Sequence, residues 1–112
     1  ADFQNTRFRL ADMATRLEAA RLLVYRAARL RDRGENCGKE ASMAKLFSSI
    51  SANRIAYDSL QIHGGVGYSS EFPIERIYRD ARVLEIYEGT SEVQHLVISR
   101  ELMKEYDRIL PE

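Results

Sequence analysis

Apolar residues recur along this chain at intervals of three and four rather than two, which divides it into helices and not strands. From about Asn5 to Arg33 nothing interrupts a helix, and Leu10, Met13, Leu17, Ala20, Val24 and Ala27 fall on one face. Ala14, Leu23 and Ala28 widen the stripe while Arg9, Arg16 and Arg26 are expected outside it, so this helix is predicted to pack on more than one neighbour. Asp2 is placed to cap its start and Gly34 to stop it. A second pattern runs from about Lys39 to His63 through Ala44, Phe47, Ile50, Ile55, Ala56 and Leu60, with many Ala and Ser that permit close helix approach. It ends at Gly64-Gly65-Val66-Gly67, too rich in glycine to continue a helix.

Pro73 suits the first turn of a short helix through about Arg82. The stretch Val83 to Tyr87 is β-branched and aromatic, but a lone strand has no partner, so it predicts a helix end and an ordered loop. After Gly89, Ser91 and Gln94 form a capping box that opens a last helix toward Leu110, ended by Pro111. Val93, Leu96, Val97, Met103 and Tyr106 are its predicted apolar side. The expected fold class is all-α: residues 1–112 form one up-and-down bundle of three substantial helices and one short one, the two long helices antiparallel. Such a bundle by itself specifies no chemistry.

Composition narrows the possibilities. At 45% apolar and 30% charged, the chain has the balance of an ordinary globular protein. Seventeen Lys plus Arg offset seventeen Asp plus Glu, so no basic field exists to hold nucleic acid or an anionic membrane. Cys37, the single cysteine, cannot close an internal disulfide and is expected to be an inert loop thiol. Cys37, His63 and His95 lack the spacing of a metal site, so no metal is expected. No apolar run approaches the roughly 20 residues of a membrane span, which predicts a cytoplasmic protein or one of the mitochondrial matrix. The chain opens Ala1-Asp2-Phe3-Gln4 without an initiator methionine, as a piece of a longer protein would.

Two segments carry candidate chemistry. In Gln61-Ile62-His63-Gly64-Gly65-Val66-Gly67-Tyr68 a helix ends in glycines whose bare backbone would admit a flat or phosphorylated ligand, or which form a plain glycine cap. No strand precedes it, so it is not a dinucleotide fingerprint. In Ile86-Tyr87-Glu88-Gly89-Thr90-Ser91-Glu92 a carboxylate stands between an apolar stretch and a glycine, just before a helix whose first N–H groups are free. There Glu88 is either a base or a solvated loop glutamate. Asp80 beside Arg79 and Arg82 is expected to form structural ion pairs.

Phe3-Gln4 with Leu10-Ala11-Asp12-Met13-Ala14, these two segments, and Arg79-Asp80-Ala81-Arg82 between them occur in an order and spacing that resembles the C-terminal helical domain of the acyl-CoA dehydrogenases. The likeness covers essentially the whole chain. It implies oxidation of an acyl-CoA thioester to its trans-2-enoyl form, with the α-proton going to a glutamate and the β-hydride to FAD. It makes Glu88 the catalytic base and sets Tyr87, Gly89 and Arg100 at the substrate, although Arg100 reads equally well as a solvated helical arginine. Thr90, Ser91 and Glu92 would contact FAD, and Gln61, Ile62, His63, Gly64 and Gly65 would meet the adenine end of a flavin held mainly by the neighbouring subunit. His63 is otherwise expected as a hydrogen-bonded packing residue. An α C–H is a very weak acid, so its base must be positioned and shielded from water.

The likeness also implies a homotetramer and an electron-transfer flavoprotein as electron acceptor. Glutamate at position 88 sets the chain apart from family members, such as the isovaleryl and long-chain types, that carry the base on an earlier helix. The family's N-terminal helical domain, middle β-domain and the opening helix of the C-terminal domain have no counterpart in these residues, so the chain alone is expected to be inactive. The alternative is a non-catalytic helical interaction module that kept the fold. An apolar groove along the first two helices would favour self-association.

Overall fold

The computed structural model describes residues 2–110, the side chains of Asp2 and Phe3 excepted. The expected cap by the Asp2 side chain and the stop at Pro111 therefore lie outside the described residues, as does the side chain of the motif residue Phe3. The chain folds as α1 (Asp2–Asp32), α2 (Gly38–His63), a single turn α3 (Gly65–Tyr68), α4 (Ile74–Arg82), a 3₁₀ turn (Val83–Glu85) and α5 (Ser91–Ile109). No strand forms among the described residues, in agreement with the all-α bundle.

The first helix ends as predicted. Gly34 turns left-handed at φ 73°, and its N–H donates to the Arg31 carbonyl at 3.0 Å while Glu35 N–H reaches the Leu30 carbonyl at 2.9 Å. That paired closure satisfies carbonyls a helix end would otherwise leave bare. The chain then reverses into α2, and Arg9 near the start of α1 lies 3.9 Å from Asp58 near the end of α2, so the two long helices run antiparallel. Helix α2 is the centre of the molecule: α1, α4 and α5 all pack on it. Lys39 at its start holds Glu105 near the end of α5 at 2.5 Å, which makes α5 antiparallel to it as well.

The face that α1 turns inward differs from the predicted one. Ala20 and Ala27 are buried, and Thr6, Arg9, Met13, Arg16, Leu23 and Leu30 are half-buried, whereas Leu10 and Leu17 are each 50% exposed. The inward positions alternate by three and four along a single seam. The cause lies on α2, whose buried positions are Ser42, Ala44, Ser49, Ser51, Ala56 and Asp58. Small side chains bring the helices close along a narrow line, and the buried Asp58 carboxylate draws Arg9 into that line. Helix α1 has one substantial neighbour among the described residues, not several.

Helix α5 shows the same displacement. Gln94 is buried, and Val97, Ile98 and Glu101 are half-buried on its inner side, while the expected Leu96, Met103 and Tyr106 stay exposed. The buried apolar residues are Ala20, Ala27, Ala44, Ala56, Ile74 and Ala81, all small but one. A radius of gyration of 17.7 Å, against about 13 Å for a compact domain of this length, agrees with a thin core and open apolar faces. The chain by itself is expected to self-associate through the uncovered row Leu10, Leu17 and Val24. Sedimentation velocity should show mass rising with concentration; a monodisperse monomer throughout would contradict it.

Candidate functional site

The first candidate segment lies at the C-terminal end of α2. Gly64 stops the helix at φ 70°, ψ −148°, a region that side chains with a Cβ scarcely enter. The glycines that follow do not stay an open turn, as the sequence suggests, but wind into α3. Gly67 makes this possible: it is buried, and a Cβ there would stand 2.7 Å from His63 Cβ and 2.8 Å from the Leu60 carbonyl oxygen. A Cβ on Gly64 or Gly65 would meet nothing within 4 Å, so both present bare backbone outward. Gln61, Ile62 and His63 are exposed beside them. The His63 Nδ1 lies 2.7 Å from the Ser59 carbonyl and its ring lies 6.3 Å from that of Phe72. A carbonyl only accepts, so Nδ1 is the donor in this contact.

The chain leading into the second segment is tied to α2. The Asn53 side chain donates to the Ala81 carbonyl at 2.7 Å, and the Lys45 ammonium donates to the Leu84 carbonyl. The predicted loop is a 3₁₀ turn in which the Ile86 and Tyr87 N–H groups both donate to the Val83 carbonyl, at 2.9 and 3.0 Å. Glu88 follows at φ 56°, the one non-glycine residue with positive φ among those described, and Gly89 at φ 100°. The chain then enters α5.

The cap of α5 sits one residue earlier than predicted. Thr90, not Ser91, is the cap, its hydroxyl accepting the Val93 N–H at 3.2 Å. This moves Gln94 out of the capping box, because the partner position belongs to Val93. The Ser91 hydroxyl is buried with no hydrogen-bond partner among the described residues. Glu88, Tyr87 and Glu92 are exposed, and Gly89 and Thr90 half-buried. Glu88 thus lacks a covering wall within the described residues. Arg100 is exposed, roughly 13 Å farther along α5 from Ser91 at 1.5 Å per residue. Asp80 makes none of the expected ion pairs among the described residues; Arg82 turns instead to Glu85 at 3.6 Å, one helical turn ahead.

The two segments do not form one pocket. Lys45, which bonds the 3₁₀ turn leading into the second, and Gln61, in the first, are both on α2 and roughly 24 Å apart along its axis. A groove of about 1130 Å³ between α2 and α4 is lined by Asn53, Arg54, Tyr57, Gln61, Tyr78 and Arg79 among others, and Glu88 is not part of its wall. Gln61 also borders a smaller cleft with Asn5, Thr6, Arg9 and Ile62. Among the described residues no cluster of His, Cys, Asp and Glu could hold a metal ion, and no helix is long and apolar enough to cross a membrane. Lys45 and the inward turn of Gln94 carry no sequence signal of their own, and the glycine motif that contains Gly67 does not tell that its role is close packing, since each depends on what the fold sets opposite it.

Known proteins match this chain over nearly its whole length. The family model described as acyl-CoA dehydrogenase, C-terminal domain, matches residues 1–103. An acyl-CoA dehydrogenase of Bacillus subtilis is 60% identical over 100 residues, 89% of this chain and 26% of the relative. The caffeyl-CoA reductase-Etf complex subunit CarC of Acetobacterium woodii is 59% identical over 104 residues, 93% of this chain and 27% of its own. The structure of butyryl-CoA dehydrogenase from Megasphaera elsdenii superposes with a TM-score of 0.88 at 46% identity, covering 90% of this chain and 26% of that one. The chain therefore spans about a quarter of the length of these relatives.

Proposed function

The chain belongs to the acyl-CoA dehydrogenase family as part of its C-terminal domain, and from that premise we propose that it supplies the base of a flavin-dependent α,β-dehydrogenation of an acyl-CoA thioester. The observation that carries this is the backbone at Glu88, left-handed at φ 56° without being glycine. Such a residue costs conformational energy and persists where its surroundings impose it, above all at active sites. Glu88 takes the α-proton of the acyl group onto its carboxylate. Tyr87 and Gly89 border the thioester, and Arg100 lies farther along α5 in the substrate region. The exposed carboxylate would be enclosed by parts of a longer enzyme, since this chain has a quarter of its relatives' length.

The residues present fit the edges of an FAD site. Gly64 and Gly65 offer backbone that no side chain screens, flanked by Gln61, Ile62 and His63, which suits contact with the adenine end. Thr90 accepts one N–H as the α5 cap and keeps its own hydroxyl hydrogen to donate. Ser91 contributes by its backbone N–H, because its hydroxyl is turned inward, and Glu92 stands on the first turn beside it. FAD, when bound, supplies the acceptor for the β-hydride. The distance between the two segments along α2 supports contact with different ends of the cofactor, or with the cofactors of two subunits of a homotetramer.

One relative is named a reductase in an Etf complex. Microscopic reversibility lets the same carboxyl group, once protonated, return the proton to the α-carbon, so Glu88 serves either direction. An electron-transfer flavoprotein is the proposed redox partner. The decisive test follows anaerobic flavin reduction by a saturating acyl-CoA in the full-length enzyme and its Glu88→Gln variant, which should keep substrate binding and lose reduction. A second expectation concerns this chain by itself: it holds only the edges of the FAD site and should bind FAD weakly. Tight stoichiometric binding in calorimetry would overturn that division of the site.

A further inference from the structure

Glu88 and Gly89 form two successive left-handed residues, at φ 56° and φ 100°, and a turn of that shape needs something to hold it. On its upstream side the Lys45 ammonium anchors the Leu84 carbonyl. On its downstream side stands Gln94. It is 9% exposed, and its amide nitrogen lies 3.4 Å from the Gly89 carbonyl oxygen. The approach is so close that a Cβ on Gly89 would lie 2.6 Å from the same nitrogen. Gln94 therefore occupies the space that the missing side chain of Gly89 leaves open, and ties the turn to the inner face of α5. A capping role does not account for this, because Thr90 takes the Val93 N–H and Gln94 reaches a carbonyl.

We propose that Gln94 is a positioning residue for Glu88, holding the Glu88–Gly89 turn from inside the bundle so that the carboxylate meets the α-proton. This rests on Glu88 being the base. Gln94 acts on the proton transfer through the turn and not on binding, because it is buried while Glu88 is exposed and its contact with the turn is to the Gly89 backbone. A displacement of about 1 Å at a reacting group can cost on the order of 100-fold in rate.

The test uses the full-length holoenzyme and an acyl-CoA that lacks β-hydrogens, whose α-proton exchanges with deuterium from D₂O without oxidation. Exchange, followed by mass spectrometry, reads the base alone. Gln94→Met keeps the length and removes the donor; exchange should slow about 10- to 100-fold with the dissociation constant of the acyl-CoA and the flavin content unchanged. If that variant does not fold with flavin, Gln94→Asn, which keeps the amide on a shorter stem, should show the same loss. Wild-type exchange in the folded variant, or a loss traced wholly to weaker substrate binding, would overturn the proposal. Glu88→Gln is run alongside. Exchange that persists there refutes the base itself, whereas exchange lost there and kept in the Gln94 variant refutes only the positioning role.

Discussion

Replacing Glu88 by Gln is expected to leave acyl-CoA bound to the full-length enzyme and to stop flavin reduction almost completely. Glutamine keeps the shape and the hydrogen-bonding reach of the side chain, and is no worse suited to φ 56°, so the turn should survive. What is lost is the ability to accept a proton. A positioned general base contributes about 10²–10⁴-fold in rate, and the loss should lie at the upper end. No neighbouring carboxylate can substitute: Glu85 is half-buried and paired with Arg82 at 3.6 Å, and Glu92 belongs to the first turn of α5. Anaerobic stopped-flow with saturating acyl-CoA separates chemistry from binding. Glu85→Gln is the control, and a collapse there with Glu88→Gln unaffected would mean that the base is misassigned. Reduction at the wild-type rate in Glu88→Gln would end its assignment to the α-proton.

Gly67→Ala should produce the largest loss of stability for the smallest change. Its Cβ would sit 2.7 Å from His63 Cβ and 2.8 Å from the Leu60 carbonyl oxygen. Neither atom is the end of a flexible side chain, so the α3 turn must move off α2. Overpacking of this kind costs about 1–3 kcal/mol, and thermal unfolding of the flavin-free protein should begin several degrees lower. Gly65→Ala is the comparison, because the added methyl there meets nothing within 4 Å. Equal midpoints for the two variants would show that the close approach at Gly67 is not felt. Because α3 follows directly on Gly64 and Gly65, Gly67→Ala should also weaken retention of FAD.

Helices were legible where their causes are local. An unbroken run of helix formers up to Gly34, the small residues up to Gly64 and the Pro73 start all act through backbone geometry within a few residues, and α1, α2 and α4 begin or end close to where those signals stand. The motif segments were legible too, though their roles came through likeness to a family and not from periodicity. The inward faces were not. Leu10 and Leu17 are as apolar as any core residue, yet α1 turns Arg9 and Arg16 into its seam, because burial depends on what the neighbouring helix presents, and α2 presents small side chains and Asp58. Glu88 is the sharpest case. Nothing in Tyr87-Glu88-Gly89 announces a left-handed glutamate, since the shape opposes local preference. It is held by groups distant in the chain or across a turn, Lys45 on the Leu84 carbonyl and Gln94 beside Gly89; the first contact exists only once α2 has packed against the 3₁₀ turn, and the second only once α5 has formed behind Gly89.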